Sequence, residues 1–262
     1  MRKKWITAFL STFLLIVTPV SDPFMIMVSA AEAETDQPAD VLDPGESGWD
    51  TISQRIIALT QKTGKRNVDV ITGYAIEVPD TVLRTLKGKK STLALHTGNG
   101  LTISLTGTDI RSTDRAFRLV LSSEEIIPET VRQQVMENAV TFREFSMAEK
   151  ERFPFYVNVH VSLGAENAGK PAILYYYDEA ADTLRFTGIY SIAESGYAMF
   201  GLNRGDEYIA VVREGKAHVV KEGEHLNSIA RRNGLSLKKL LEENPHIANA
   251  DFIYPGQVII IP

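Results

Sequence analysis

The sequence predicts a mainly β chain: a sandwich-like domain with one or two short helices, followed by a small α+β unit of βααβ order. Three observations predict it. Short runs of alternating apolar and polar residues recur from residue 68 to residue 212, split by Gly, Asp and Asn turns. Helical periodicity in that region is confined to brief stretches. Past residue 213 the pattern changes to one short β-rich run, two adjacent helical patterns and a closing apolar run.

Residues 1–33 have the layout of a secretory signal peptide. Arg2, Lys3 and Lys4 form a positive n-region, and residues 5–20 are almost entirely apolar. Small-residue cleavage patterns follow at Val28-Ser29-Ala30 and Ala31-Glu32-Ala33. Pro19, Asp22 and Pro23 interrupt the apolar run, whereas a membrane-spanning helix needs about 20 apolar residues. Residues 34–48, rich in Ala, Glu, Asp and Pro, read as a flexible spacer.

Folded sequence is expected from Trp49. Asp50 is a candidate N-cap for an amphipathic helix carrying Ile52, Ile56 and Leu59 on one face, stopped by Gly64. The period then changes to two. Val68, Asp69 and Val70 alternate, as do residues 74–78. Pro79 opens a short helix that Gly88 closes. Residues 93–95 and 101–105 flank Gly98-Asn99-Gly100, a hairpin signal. Residues 116–121 alternate again, and Pro128 opens another short helix within 127–138.

Short strands follow at 155–163, 172–177, 184–187, 197–202 and 208–212, at spacings typical of packed sheets. Val157, Val159 and Val161 share one face of their strand, while Tyr156, Asn158 and His160 share the other. That pattern fits a sheet with a single buried side. The predicted organisation is a signal peptide (1–33), a spacer (34–48), a β-rich domain (49–213), a linker (214–217) and a small C-terminal domain (218–262).

Composition limits the chemistry. The chain of 262 residues is 44% apolar, enough for a packed core. Its net charge of −5 argues against nucleic acid or an anionic membrane surface as partner, since both require a basic face. No cysteine is present, which excludes disulfides, thiolate metal sites, a cysteine nucleophile and a lipid-bearing cysteine. His96 and His160 are the only histidines of the middle region, and neither stands in an HExxH motif. GxSxG and SxxK are absent as well. No metal or other cofactor is expected.

Glu124, Glu125, Glu144 and Glu149 are the carboxylates a glycosidase pair would draw on. Charged residues in such stretches ordinarily form solvated faces. Tyr175, Tyr176 and Tyr177 could stack on sugar rings. On an alternating strand, however, Tyr175 and Tyr177 share a face and Tyr176 takes the other, so at least one ring enters the core and one exposed ring is ordinary.

The C-terminal unit carries the most specific pattern. Residues 218–221 meet a Glu222-Gly223 turn. Leu226, Ile229 and Ala230 can face inward from one helix, and Leu237, Leu240 and Leu241 from the next. Asn233-Gly234 separates the two, and a Pro255-Gly256 turn leads into the apolar run of residues 258–261. This order resembles the LysM domain, whose family folds as βααβ and binds peptidoglycan or chitin through N-acetylglucosamine. In that family the sugar lies between the first strand–helix loop and the second helix–strand loop. The resemblance therefore implies Gly223, Glu224, His225 and Leu226 on one wall, and Asn244, Pro245, Ile247 and Ala248 on the other. An acetamido group needs an amide donor, an acceptor and a small apolar floor, which such loops supply. Glu224-His225 replaces the Asp-Thr or Asp-Ser usual in the family, which weakens the cap of the first helix. One shallow groove of this kind holds its ligand at about 10⁻³ to 10⁻⁵ M.

The middle domain resembles a β-rich segment of large secreted surface proteins of anaerobic clostridial bacteria. Val78-Pro79-Asp80, Lys87-Gly88-Lys89, Gly107-Thr108-Asp109-Ile110 and Leu174-Tyr175-Tyr176-Tyr177 carry the resemblance. It implies a Gram-positive surface location and no particular chemistry. The expected function is thus a secreted, non-catalytic, cell-wall-associated protein that binds peptidoglycan N-acetylglucosamine through its C-terminal unit. The alternative is an accessory or cryptic cell-wall hydrolase, a glycosidase targeted by that unit. A third reading makes the unit a protein-interaction module. Expected partners are a peptidoglycan or chitin-type glycan and other surface proteins, with no nucleic acid, and no membrane once the signal is cleaved.

Overall fold

The computed structural model describes residues 44–60, 67–73, 75–123, 126–147, 150 and 152–262. Residues 1–43, where a signal peptide and most of a spacer are expected, and Gly64, Tyr74, Glu124, Glu125 and Glu149 lie outside the described residues. The larger domain opens with α1 (Pro44–Thr60), β1 (Asn67–Ile71), β2 (Ala75–Val78) and α2 (Asp80–Leu86). Then come β3 (Thr92–His96), β4 (Leu101–Thr106), β5 (Phe117–Ser122), α3 (Glu129–Arg132) and β6 (Ala139–Met147). It closes with β7 (Arg152–Ser162), β8 (Pro171–Asp178), β9 (Thr183–Ser191), β10 (Tyr197–Arg204) and β11 (Glu207–Arg213).

The strands form two sheets, in orders β1-β3-β4-β7-β10 and β2-β5-β6-β11-β8-β9. The chain is mainly β, as its alternating pattern predicts. Pairing is antiparallel except between β1 and β3, which run parallel in register Asn67↔Thr92. Val157, Val159 and Val161 are fully buried and face the second sheet's Leu119, Phe145 and Leu174 in one core. Tyr156 on the opposite face of β7 is 57% exposed, so this strand does have one buried side. The hairpin at Gly98-Asn99-Gly100 joins β3 to β4, with Leu95 opposite Ile103.

Within the second sheet, β11 is buried on both faces. Tyr208, Ala210 and Val212 of β11 enter the inter-sheet core, while Ile209 and Val211 meet Ile127, Val131 and Val135 around α3. That double burial explains why residues 208–212 read as nearly continuous apolar sequence. It also brings in a strand that periodicity did not announce. β6 pairs with β11 through Phe145↔Tyr208, and it places Glu144 on the face covered by α3.

Glu144 corrects the expectation of a solvated carboxylate: it is only 4% exposed. One oxygen accepts from the backbone N–H groups of Ile126 at 2.8 Å and Ile127 at 3.0 Å, and the other from Arg132 at 2.9 Å. The loop entering α3 needs donors satisfied in a dry place, and Glu144 supplies the acceptor. The tyrosines divide between the two faces as the alternation predicts, and none of the three rings stands fully out. Tyr176 packs on the inter-sheet core, and Tyr175 and Tyr177 on the α3 side.

α1 presents Ile52 and Ile56 to the core, with Leu59 packed beside them, as their spacing predicts. Its cap differs. The break lies at Gly48 (φ 71°, ψ 155°), and Asp50 falls inside the helix. α2 begins after Pro79, and Val82, Leu83 and Leu86 are buried. Where α2 ends, Gly107 passes so close that a Cβ there would lie 2.0 Å from the Leu86 carbonyl oxygen. Only glycine allows that approach.

The C-terminal unit is β12 (Lys216–Val219), α4 (Leu226–Arg232), α5 (Leu237–Glu243) and β13 (Val258–Ile261), in βααβ order. β12 and β13 pair antiparallel, His218 opposite Ile259. The unit has its own small core of Val220, Leu226, Ile229, Ala230, Leu240, Ile247, Ile259 and Ile261.

Candidate functional site

The first of the two expected walls is a tight turn fastened from within. Glu222 and Gly223 form the turn, and Gly223 has φ 76° with open space beside it. One Glu224 oxygen accepts from the Lys221 N–H at 2.9 Å and shares a 2.8 Å hydrogen bond with His218 Nε2. Arg232 donates to the other oxygen. The backbone donor first, then Arg232 and His218, hold the carboxyl down to about 2. Glu224 is therefore anionic and engaged, and what this wall can offer a sugar is backbone and the Gly223 opening. His225 is the N-cap of α4 in extended conformation and makes no side-chain cap bond, as its departure from Asp-Thr or Asp-Ser predicts. Leu226 is 1% exposed and belongs to the core.

The second wall is built on Asn244, which has no exposed surface. Its Nδ2 donates to the Leu240 and Ile260 carbonyls, and its Oδ1 accepts from the Ile260 N–H, all at 2.8 Å. The side chain thus ties the end of α5 to β13. Its own carbonyl accepts from the Ile247 N–H at 2.9 Å, which turns the loop. Ile247 is 9% exposed and packs in the core, whereas Pro245 and Ala248 stand at the surface. Leu226 and Ile247 anchor the two loops in the same core.

An open depression of about 480 Å³ lies against the first wall, lined by Gly223, Glu224, Ser228, Arg231 and Arg232. Sequence reasoning missed the last three. Their spacing of three and four residues puts Ser228, Arg231 and Arg232 on one face of α4, a signal present in the sequence. His246 is half-buried against Phe186 of β9, and burial pushes its pKa below the ordinary value.

The histidines of the larger domain come together on the outer face of the first sheet. His96 Nε2 pairs with Asp69 at 2.9 Å and its Nδ1 with Thr102 at 3.2 Å. His160 Nε2 pairs with Ser104 at 2.8 Å. Burial, and then the neighbouring His96, lower the His160 pKa. Thr102 and Ser104 are themselves buried, so neither hydroxyl is presented as a nucleophile. Among the described residues no cluster of three or more His, Asp or Glu is placed to hold a metal ion, and no helix is long and apolar enough to cross a membrane.

The C-terminal segment is a small βααβ unit with two loops fastened on one core, appended to a β-sheet domain. Residues 218–262 match the family model of the LysM domain, so the chain carries a LysM domain at its C-terminal end. LysM domains bind peptidoglycan or chitin-type glycans, which supports carbohydrate binding and cell-wall association for this chain. No curated protein and no solved structure matches the chain.

Proposed function

We propose that the protein is secreted, does no catalysis, and is held on peptidoglycan by N-acetylglucosamine binding at its LysM domain, with the β-sheet domain displayed from the wall. The observation that carries the reading is the LysM match over a unit folded in that order, with its two loops fastened on one core. Backbone groups at Gly223 and around Pro245 and Ala248 supply the amide-sized donor and acceptor that an acetamido group needs. Glu144 in its ion pair with Arg132 is unsuited to act as a general acid, which favours binding over hydrolysis.

Titration of the full chain with soluble N-acetylglucosamine oligomers tests the reading. Saturable binding near 10⁻³ to 10⁻⁵ M is expected. Absence of binding at millimolar sugar counts against it. Release of soluble fragments from labelled peptidoglycan by the pure protein would instead support the hydrolase reading.

A further inference from the structure

Phe186 of β9 lays its ring on the His246 imidazole, with centroids 5.4 Å apart and planes 28° from parallel. His246 stands between Pro245 and Ile247, inside the second loop of the LysM groove. Tyr175 of β8 meets Phe186 edge-on at 6.1 Å. β9 is the edge strand of its sheet, and β12 and β13 pack alongside it. Two further contacts join the units. The Ala217 N–H donates to the Gly169 carbonyl at 2.8 Å, and Lys170 meets Glu214 at 3.2 Å. Phe186 still keeps 45% of its surface exposed beside the loop.

We propose that the β-sheet domain shapes the glycan site from outside it, with Phe186 acting as a positioning residue that sets the second groove loop through His246. The inference rests on the glycan-binding reading above. Residues 244–248 lie outside any helix or strand, so holding them in one shape costs conformational entropy. Asn244 and Ile247 fix the inner side of the loop from the LysM core. His246 is its outer fastening, and the partner ring comes from the other domain. A loop held in advance spares the ligand that ordering cost, so the β-sheet domain raises the affinity of a module it does not belong to.

The test is calorimetric titration of the full-length chain with a soluble N-acetylglucosamine pentamer. Phe186→Ala weakens binding about 3- to 10-fold, the range one aromatic contact supports. Phe186→Tyr keeps the flat face and restores binding. His246→Ala weakens binding to a similar extent, and the double variant is no weaker than either single one, because both remove the same contact. Unchanged affinity in folded Phe186→Ala, or losses that simply add, overturns the proposal. Should Phe186→Ala fail to fold, Phe186→Leu keeps the bulk without the ring and is read by the same outcomes. A wild-type chain that binds no pentamer refutes the glycan-binding reading and this proposal together; an unaffected Phe186 variant refutes this proposal alone.

Discussion

At the scale of single residues, Asn244 and Glu224 fasten the two loops of the LysM unit from within. Asn244 falls where the family resemblance places a groove wall, yet its amide makes three hydrogen bonds inside the protein. Asn244→Ala leaves one N–H and two carbonyls of the backbone unpaired. It should destabilise the C-terminal unit by about 2–4 kcal/mol, readable by chemical denaturation. Glu224 is a ligand contact only by what the LysM resemblance implies. Its three donors could not be known before the chain brought Lys221, His218 and Arg232 around it. The Glu224 carboxyl sits near 2 in the folded chain against an ordinary 4.5. Its contribution is therefore complete above about pH 4.5 and is lost as the pH falls toward 2. Glu224→Gln should lower thermal stability at pH 7 and flatten its fall across that acid range. An unchanged acid profile would show that the carboxylate does not contribute to the folded state.

At the scale of elements, alternation revealed the strands whose two faces differ. β7 is the clearest case, with three buried valines against an exposed Tyr156. β6 was hidden because its last four residues, 144–147, are buried on both faces and include Glu144, which in sequence looks like surface. The parallel pairing of β1 with β3 was equally out of reach, since a crossover through β2 and α2 leaves no local mark. Glu144→Ala takes one of two carboxylates from Arg132, which keeps Glu129, and removes the acceptor of the Ile126 and Ile127 N–H groups. It should cost about 2–4 kcal/mol in denaturation experiments, while Glu144→Gln, which keeps an oxygen for those N–H groups, should cost less. Gly107→Ala tests the junction of α2 with β4. The added methyl meets the Leu86 carbonyl, so loss of several kcal/mol or failure to fold is expected. Near-normal stability would show that the turn can give way.

At the scale of the whole molecule, the βααβ order of the last 45 residues was readable because each boundary is marked: Gly223, Asn233-Gly234, Pro255-Gly256. How that unit meets the rest was not. Phe186 and His246 lie far apart in sequence, and no periodicity connects them. Residues 214–217, read as a linker, include the start of β12, and Gly215 (φ 100°) sits against the Ile261 carbonyl oxygen. The LysM domain is thereby docked on β9 as well as joined through the chain. In the proposed function this domain is the means of attachment to the wall. Sedimentation with purified peptidoglycan sacculi compares the full chain with one ending at Gly215. The full chain should pellet with the wall and be released by soluble N-acetylglucosamine oligomers, while the shortened chain stays in the supernatant. Equal pelleting of both, or retention that the oligomers leave untouched, would contradict the account.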